Sequence, residues 1–188
     1  MLPPGDVLIG EREIASRVGD LARDLAGALR DDLATEGAAL DTPGRVVMVP
    51  VLAGSIIFYA DLVRRLPVAL ATELVSVSSY RGATTESLGA ALVGALPENL
   101  AGRHVVIVDD ILDSGRTLGL LRSAIAEQQP ASLRICVLLR KERPRDVAVE
   151  VDLVGFDIPD LFVVGYGLDY DGHYRNLPDI RMLDGAPT

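Results

Sequence analysis

The strongest constraint on the fold is a set of apolar runs that do not alternate. Val46-Val47-Met48-Val49-Pro50-Val51, Val105 to Val108 and Leu133 to Leu139 carry almost no polar side chain. A strand with one face in water shows a polar residue at every second position; a strand covered on both faces does not. Segments with helical spacing lie between these runs. Ile14, Val18, Leu21, Leu25, Leu29 and Leu33 recur at steps of three and four and mark an amphipathic helix ending near Gly37. A second helical segment passes through Phe58 and Leu62 to Leu66, and a third spans Thr117 to Gln128. Covered strands alternating with helices specify an α/β fold, a central parallel sheet flanked by helices. A β-like stretch over Val68–Ser79 and shorter apolar runs at Val149–Val154 and Leu161–Gly165 extend the pattern. No repeat or linker divides the sequence, so residues 1–188 are read as one domain.

Ligands of such folds bind at the carboxyl ends of the strands. There the sequence places Asp109-Asp110-Ile111-Leu112-Asp113-Ser114-Gly115-Arg116-Thr117, between the run Val105–Val108 and a helix. Backbone N–H groups at the start of the helix, together with the positive end of its dipole, suit a phosphate. Ser114 and Thr117 add hydroxyl donors, and Gly115 allows the backbone to approach closely. The neighbouring carboxylates suit ribose hydroxyls and a hard cation. An acidic helix cap is the plainer explanation. A cap accounts for one carboxylate or hydroxyl, not for three carboxylates and a glycine turn behind a buried strand.

Charge narrows the partners. A formal net charge of −9 makes the surface repulsive on balance to nucleic acid, so none is expected as a partner. A small anion still fits, because a local nest of N–H groups or a bound metal overrides the global sign. No apolar run approaches the ~20 residues that cross a bilayer, and Met1-Leu2-Pro3-Pro4-Gly5-Asp6 does not resemble a secretion signal. No membrane association is expected, and the cytoplasm is the expected compartment. The single cysteine, Cys136, lies in an apolar run with no His beside it, which indicates a structural thiol.

The segment Asp109–Thr117 closely resembles the motif by which type I phosphoribosyltransferases bind phosphoribosyl pyrophosphate (PRPP). The likeness extends over most of the chain and narrows to the hypoxanthine-guanine members. Val51-Leu52-Ala53-Gly54-Ser55 with residues 58–64 resembles their first loop and helix. Ser78-Ser79-Tyr80 with Thr85-Glu86-Ser87 resembles their mobile lid. Val154-Gly155-Phe156-Asp157-Ile158-Pro159-Asp160 with the stretch from Phe162 to Tyr170 resembles their purine-binding region. The resemblance implies the type I phosphoribosyltransferase fold, with a small hood built from both chain ends, and a homodimer or homotetramer. It also implies purine salvage: transfer of the 5-phosphoribosyl group of PRPP to hypoxanthine or guanine, with xanthine as a third candidate, giving the nucleoside monophosphate and pyrophosphate.

Roles follow residue by residue from that resemblance. Asp109 and Asp110 would hold the ribose hydroxyls, and Asp113, Ser114, Gly115, Arg116 and Thr117 the 5′-phosphate. Asp113 would exchange a proton with N7 of the purine, a task that suits a carboxyl if burial and neighbouring carboxylates lift it toward neutrality. Asp169, with Asp109 and Asp110, would hold Mg²⁺ on the pyrophosphate, since a polyanionic leaving group needs a counter-charge. Ala53, Gly54 and Arg175 would meet the pyrophosphate. Phe162 would stack on the purine with Leu168 at its other face, backbone groups at Val163 would read the base edge, and Lys141 would contact its 6-oxo group. Ser79 and Tyr80 would begin a lid that excludes water. Without the resemblance Asp169 is a turn residue, Arg175 a surface arginine and Phe162 core. Arg140, Arg143 and Arg145, around Lys141, are read as a solvated basic loop.

Two positions depart from the family. Ala53 and Leu161 stand where lysines are common, which removes a positive charge from the pyrophosphate loop and leaves the choice among the 6-oxopurines open. The reading from another class is an RNA-binding regulator on the same fold. Such regulators usually lack a carboxylate at the position of Asp113 and need a basic face, and both points oppose it. A silent nucleotide sensor is the third reading, supported by Ala53 alone.

Overall fold

A computed structural model describes residues 4–78, 91–93, 96–183 and 185. The expected lid residues Ser79 and Tyr80 lie outside the described residues.

The apolar runs form the strands β2 (Val46–Leu52), β6 (His104–Leu112) and β7 (Ser132–Lys141), which lie side by side and parallel. Their side chains divide by register. Val46, Met48, Val106, Val108, Cys136 and Leu138 pack beneath helices α1 (Glu11–Ala34) and α2 (Ile56–Val63). Val47, Val49, Val51, Val105, Ile107, Ile135 and Val137 pack beneath helix α3 (Arg116–Ala126). Successive apolar residues of these runs therefore pack beneath helices on opposite faces, which is why the runs do not alternate. α1 buries the expected stripe, Ile14, Val18, Leu21, Leu25, Leu29 and Leu33. Fully burying a leucine-sized side chain contributes about 1.5–3 kcal/mol, so the stripe alone anchors the helix.

Parallel pairing continues to β8 (Leu153–Ile158) beside β7, and to β3 (Leu70–Thr72) and β4 (Val75–Ser78) beside β2. β5 (Ala91–Val93) adds to β4 in the antiparallel sense at the sheet's edge. A second sheet of three short antiparallel strands, β1 (Val7–Ile9), β10 (Ile180–Met182) and β9 (Val163–Val164), joins the two ends of the chain as a small hood. This is the expected α/β architecture.

Boundaries differ in three places. The stretch Val68–Ser79 divides into β3 and β4, because β2 takes them at two levels, Val46–Met48 and then Val51–Leu52. The run Val149–Val154 only approaches the sheet; the strand starts at Leu153 and continues through Asp157, whose polar side chain is exposed at the edge. β6 runs on through Asp109 and Asp110 to Leu112, so the acidic pair sits inside the strand's last turn of pleat. Cys136 is fully buried, and burial pushes its thiol up to about 12, which makes it the inert packing group expected.

Candidate active site

Two cavities open at the carboxyl ends of β2, β6 and β7. The larger, about 290 Å3, is bounded by Leu52 at the end of β2 and Gly54 just beyond it, by Asp109 to Gly115 and Thr117, and by Asp169 and Arg175. The smaller, about 200 Å3, is bounded by Lys141, Phe162, Val163 and Leu168. Asp110, Ile111, Asp113 and Asp169 line both, so the two form one continuous site.

Its floor is the acidic pair. Asp109 is 7% exposed, and its Oδ1 accepts the N–H of Asp110 at 3.0 Å. Burial, reinforced by the charge of Asp110, holds the Asp109 carboxyl well above the usual carboxylate range; burial also raises Asp110, opposed first by its hydrogen bond with Asp109 and least by Arg175. Two crowded, desolvated carboxylates gain from any donor or cation that enters the cavity.

The turn after β6 has the form a phosphate needs. Gly115 precedes α3 with φ of 80°, a left-handed conformation that glycine adopts without strain. A Cβ there would also run into the Val147 carbonyl oxygen. No side chain caps α3. Asp113 bonds instead to Lys141 and Arg143, and Ser114 Oγ accepts only the Arg116 N–H, at a long 3.4 Å, which leaves the first-turn N–H groups of Thr117 and Leu118, at the edge of the cavity, for an anion. Arg116 turns outward to Asp146 at 2.9 Å.

A second loop presses against the first. Gly54 follows the cis Leu52–Ala53 peptide bond, and a Cβ at Gly54 would overlap the Asp110 carboxylate. Gly167, at φ of 102°, packs in turn on the Gly54 carbonyl. Ala53 is exposed, and Gly54 rather than Ala53 borders the cavity. Arg175 fastens this side: it donates to the Gly167 carbonyl at 2.6 Å and pairs with Asp169 Oδ1 at 2.7 Å, while Asp169 Oδ2 accepts the Gly172 N–H at 2.7 Å. Among the described residues no three His, Cys, Asp or Glu side chains form a metal cluster, so Asp109, Asp110 and Asp169 border one cavity without building a cage. Mg²⁺ needs none when it is held by one or two carboxylates and the oxygens of a phosphorylated ligand.

The smaller cavity is apolar on one side and charged on the other. The hood sets the apolar side: the Phe162 carbonyl accepts the Leu183 N–H at 2.9 Å, and Val163 and Val164 pair with β10. Phe162 meets Tyr170 edge to face at 5.4 Å. Val163 and Leu168 are buried. On the charged side Lys141 lies 3.2 Å from Asp113 Oδ2 and 3.4 Å from Asp160 Oδ1. Among the three arginines read as a solvated loop, Arg143 is not free: it reaches Asp113 Oδ1 at 3.2 Å. Arg140 forks onto Asp157, and Arg145 donates to the Lys141 carbonyl at 3.1 Å. Sequence reading missed Arg143 as a site neighbour, and it placed Asp160 and Tyr170 in the purine-binding region without a role or partner for either. Their partners lie 10 or more positions away in sequence or across a turn, so no local spacing marks them.

A phosphate turn, a buried acidic pair and an adjoining flat cavity with a cation at its edge define an α/β enzyme that handles a phosphorylated sugar beside an aromatic base. The phosphoribosyl transferase domain model matches residues 16–171. Hypoxanthine-guanine phosphoribosyltransferase of Mycobacterium avium is 41% identical, with 97% of this chain and 89% of that protein covered. Hypoxanthine phosphoribosyltransferase of Escherichia coli K12 is 38% identical, with 95% and 94% covered. The solved hypoxanthine phosphoribosyltransferase of Trypanosoma cruzi, in complex with the product IMP, superposes with a TM-score of 0.83 at 37% identity, covering 97% of this chain and 95% of that one. The chain belongs to the phosphoribosyltransferase family, in its hypoxanthine-guanine branch.

Proposed function

We propose that this enzyme transfers the 5-phosphoribosyl group of PRPP to hypoxanthine or guanine in purine salvage. The observation that carries the reading is the sharing of Asp110, Ile111, Asp113 and Asp169 by the phosphate cavity and the base cavity, which brings the two reactants to one carboxylate, Asp113. The turn Asp113–Thr117 binds the 5′-phosphate through backbone N–H groups and the hydroxyls of Ser114 and Thr117. Asp109 and Asp110 accept from the ribose hydroxyls, and Gly54 and Arg175 border the pyrophosphate. Phe162, Val163 and Leu168 enclose the base, and Lys141 donates to its 6-oxo oxygen. Asp113 takes the N7 proton as N9 attacks the anomeric carbon. Holding both reactants in line accounts for much of such a rate enhancement, since orientation alone supplies roughly 7–11 kcal/mol in favourable cases.

The donor set suits Mg²⁺, because Asp109, Asp110 and Asp169 offer hard oxygen ligands and the buried pair lacks a full counter-charge. When bound, the ion neutralises charge on the departing pyrophosphate. The reading includes the cytoplasm as the compartment and a homodimer or homotetramer as the assembly. It is supported by the absence, among the described residues, of a helix long and apolar enough to cross a membrane, and by a T. cruzi relative whose solved structure concerns its oligomeric state.

A spectrophotometric assay with PRPP, Mg²⁺ and each of hypoxanthine, guanine, xanthine and adenine tests the reading. Turnover of at least one 6-oxopurine is expected, abolished by chelation and restored by Mg²⁺ or Mn²⁺. A chain inert toward all three 6-oxopurines overturns the reaction; full activity after exhaustive chelation overturns the metal.

A further inference from the structure

Asp113 is held from two sides, by two cations that play different parts. Its Oδ2 accepts from Lys141 and its Oδ1 from Arg143, each at 3.2 Å. Asp160 closes the ring, 3.4 Å from Lys141 and 3.5 Å from Arg143, so carboxylates and cations alternate around four side chains. Lys141 is buried and lines the base cavity. Arg143 does not line it; it faces a neighbouring cleft with Arg122, Pro144 and Arg145.

That difference decides which bond survives when a base enters. The base's carbonyl oxygen competes with Asp113 for the Lys141 ammonium, so the bond to Oδ2 is the one given up. Oδ2 then faces the ring nitrogen with nothing else on it. The bond to Oδ1 lies outside the cavity and meets no competition from the base. An arginine suits this place because its fork is rigid and always charged, and Asp160 holds the same nitrogen from the other side.

We infer that Arg143 is a positioning residue for the transfer: from outside the base cavity it grips Asp113 Oδ1 and fixes the carboxylate so that Oδ2 meets the ring nitrogen. The inference rests on the assignment of Asp113 as proton acceptor. Proton transfer needs a heavy-atom separation of roughly 2.6–3.2 Å, and a misplacement of about 1 Å can cost roughly 100-fold in rate. The ion pair adds little to the fold, because Arg143 and Asp113 are 37% and 43% exposed and water screens them. Its effect belongs to turnover.

The test compares wild type, Arg143→Ala and Arg143→Lys in formation of the nucleotide from PRPP and hypoxanthine, with Tm measured for each. The alanine variant should lose roughly tenfold or more in kcat, by the cost of misorientation. Its KM for PRPP should stay within about twofold and its Tm within about 4 °C, as for a screened surface pair. The lysine variant should recover most of kcat, since an ammonium restores one charge-assisted bond to Oδ1. Unchanged kcat in the alanine variant, or a loss confined to KM, overturns the inference. So does a kcat loss that lysine does not relieve and that a large fall in Tm accompanies, because that pattern marks a structural role. An inactive wild type overturns the proposed reaction itself and the inference with it; an active wild type with an unimpaired alanine variant overturns the inference alone.

Discussion

Lys141 Nζ lies 3.2 Å from Asp113 Oδ2, so the cation assigned to the base's carbonyl is bonded to the carboxylate assigned to its proton. The base must part them. An ammonium is donor-only: it satisfies a 6-oxo oxygen but meets a 6-amino group donor to donor. Lys141→Ala should therefore lower kcat/KM for hypoxanthine by roughly 10- to 150-fold, the equivalent of about 1.5–3 kcal/mol for a lost bond to a charged group. The preference over adenine should narrow, with KM for PRPP little changed. Measuring kcat/KM for both bases decides it: an unaltered ratio removes Lys141 from base recognition.

Asp113→Asn keeps the shape of the side chain and an oxygen for one cation but cannot accept the proton. Its kcat should fall roughly 10²- to 10⁴-fold, the usual contribution of a general acid or base. PRPP should still bind, because the phosphate turn relies on backbone N–H groups. Single-turnover kinetics with calorimetric PRPP binding separates the two quantities. Near-normal turnover would reassign the proton to another group.

Gly54→Ala drives a Cβ into the Asp110 carboxylate. The obstacle is the half-buried carboxyl of a short side chain on β6, which has to move aside. Overpacking of this kind costs about 1–3 kcal/mol, and the displaced groups are those that face PRPP. The Kd for PRPP should rise roughly 5- to 150-fold. Calorimetry reads it directly, and an unchanged Kd would detach the Gly54–Asp110 contact from PRPP binding.

His104 supplies a pH dependence at the opposite end of the sheet. It is 2% exposed at the start of β6, with Nδ1 2.9 Å from Ser132 Oγ, and it faces Asp32 of α1, Glu36 after α1, Arg45 before β2 and Arg134 of β7. Burial lowers its pKa, opposed by Asp32. A base whose folded pKa is depressed stays neutral where the unfolded chain takes up a proton. Stability is then full above the unfolded value of about 6.5 and falls as pH drops below it, by at most about 1.4 kcal/mol per pH unit for one group. Urea unfolding at pH 7.5 and 5.5 should show the loss, and His104→Gln should flatten it. Equal slopes in the two proteins would mean that His104 is not the titrating group.

The division between local and distant information runs through particular residues. Val105 to Val108, apolar at every position, are covered by helices on both faces, and that requirement was readable without coordinates. The same holds for Asp109–Thr117, where a strand end, an acidic pair and a glycine turn are contiguous. The hood was not readable from pattern, because β1, β9 and β10 are two or three residues long and become strands only by pairing across the length of the chain. Arg143 looked like a solvated charge for the same reason. Its carboxylate partners follow β6 and β8, and only the parallel register of β6, β7 and β8 brings those three strand ends to one edge.

By itself, the sequence determined the covered sheet, the stripe that seats α1 and the phosphate turn, since each depends on hydrophobic period or backbone chemistry within a short stretch. Only the tertiary structure decided that Gly54 must lack a side chain, that Arg175 holds Asp169, and that Lys141 and Arg143 grip opposite oxygens of Asp113. Those relations are distances between side chains from different elements, and packing sets such distances after the elements have formed.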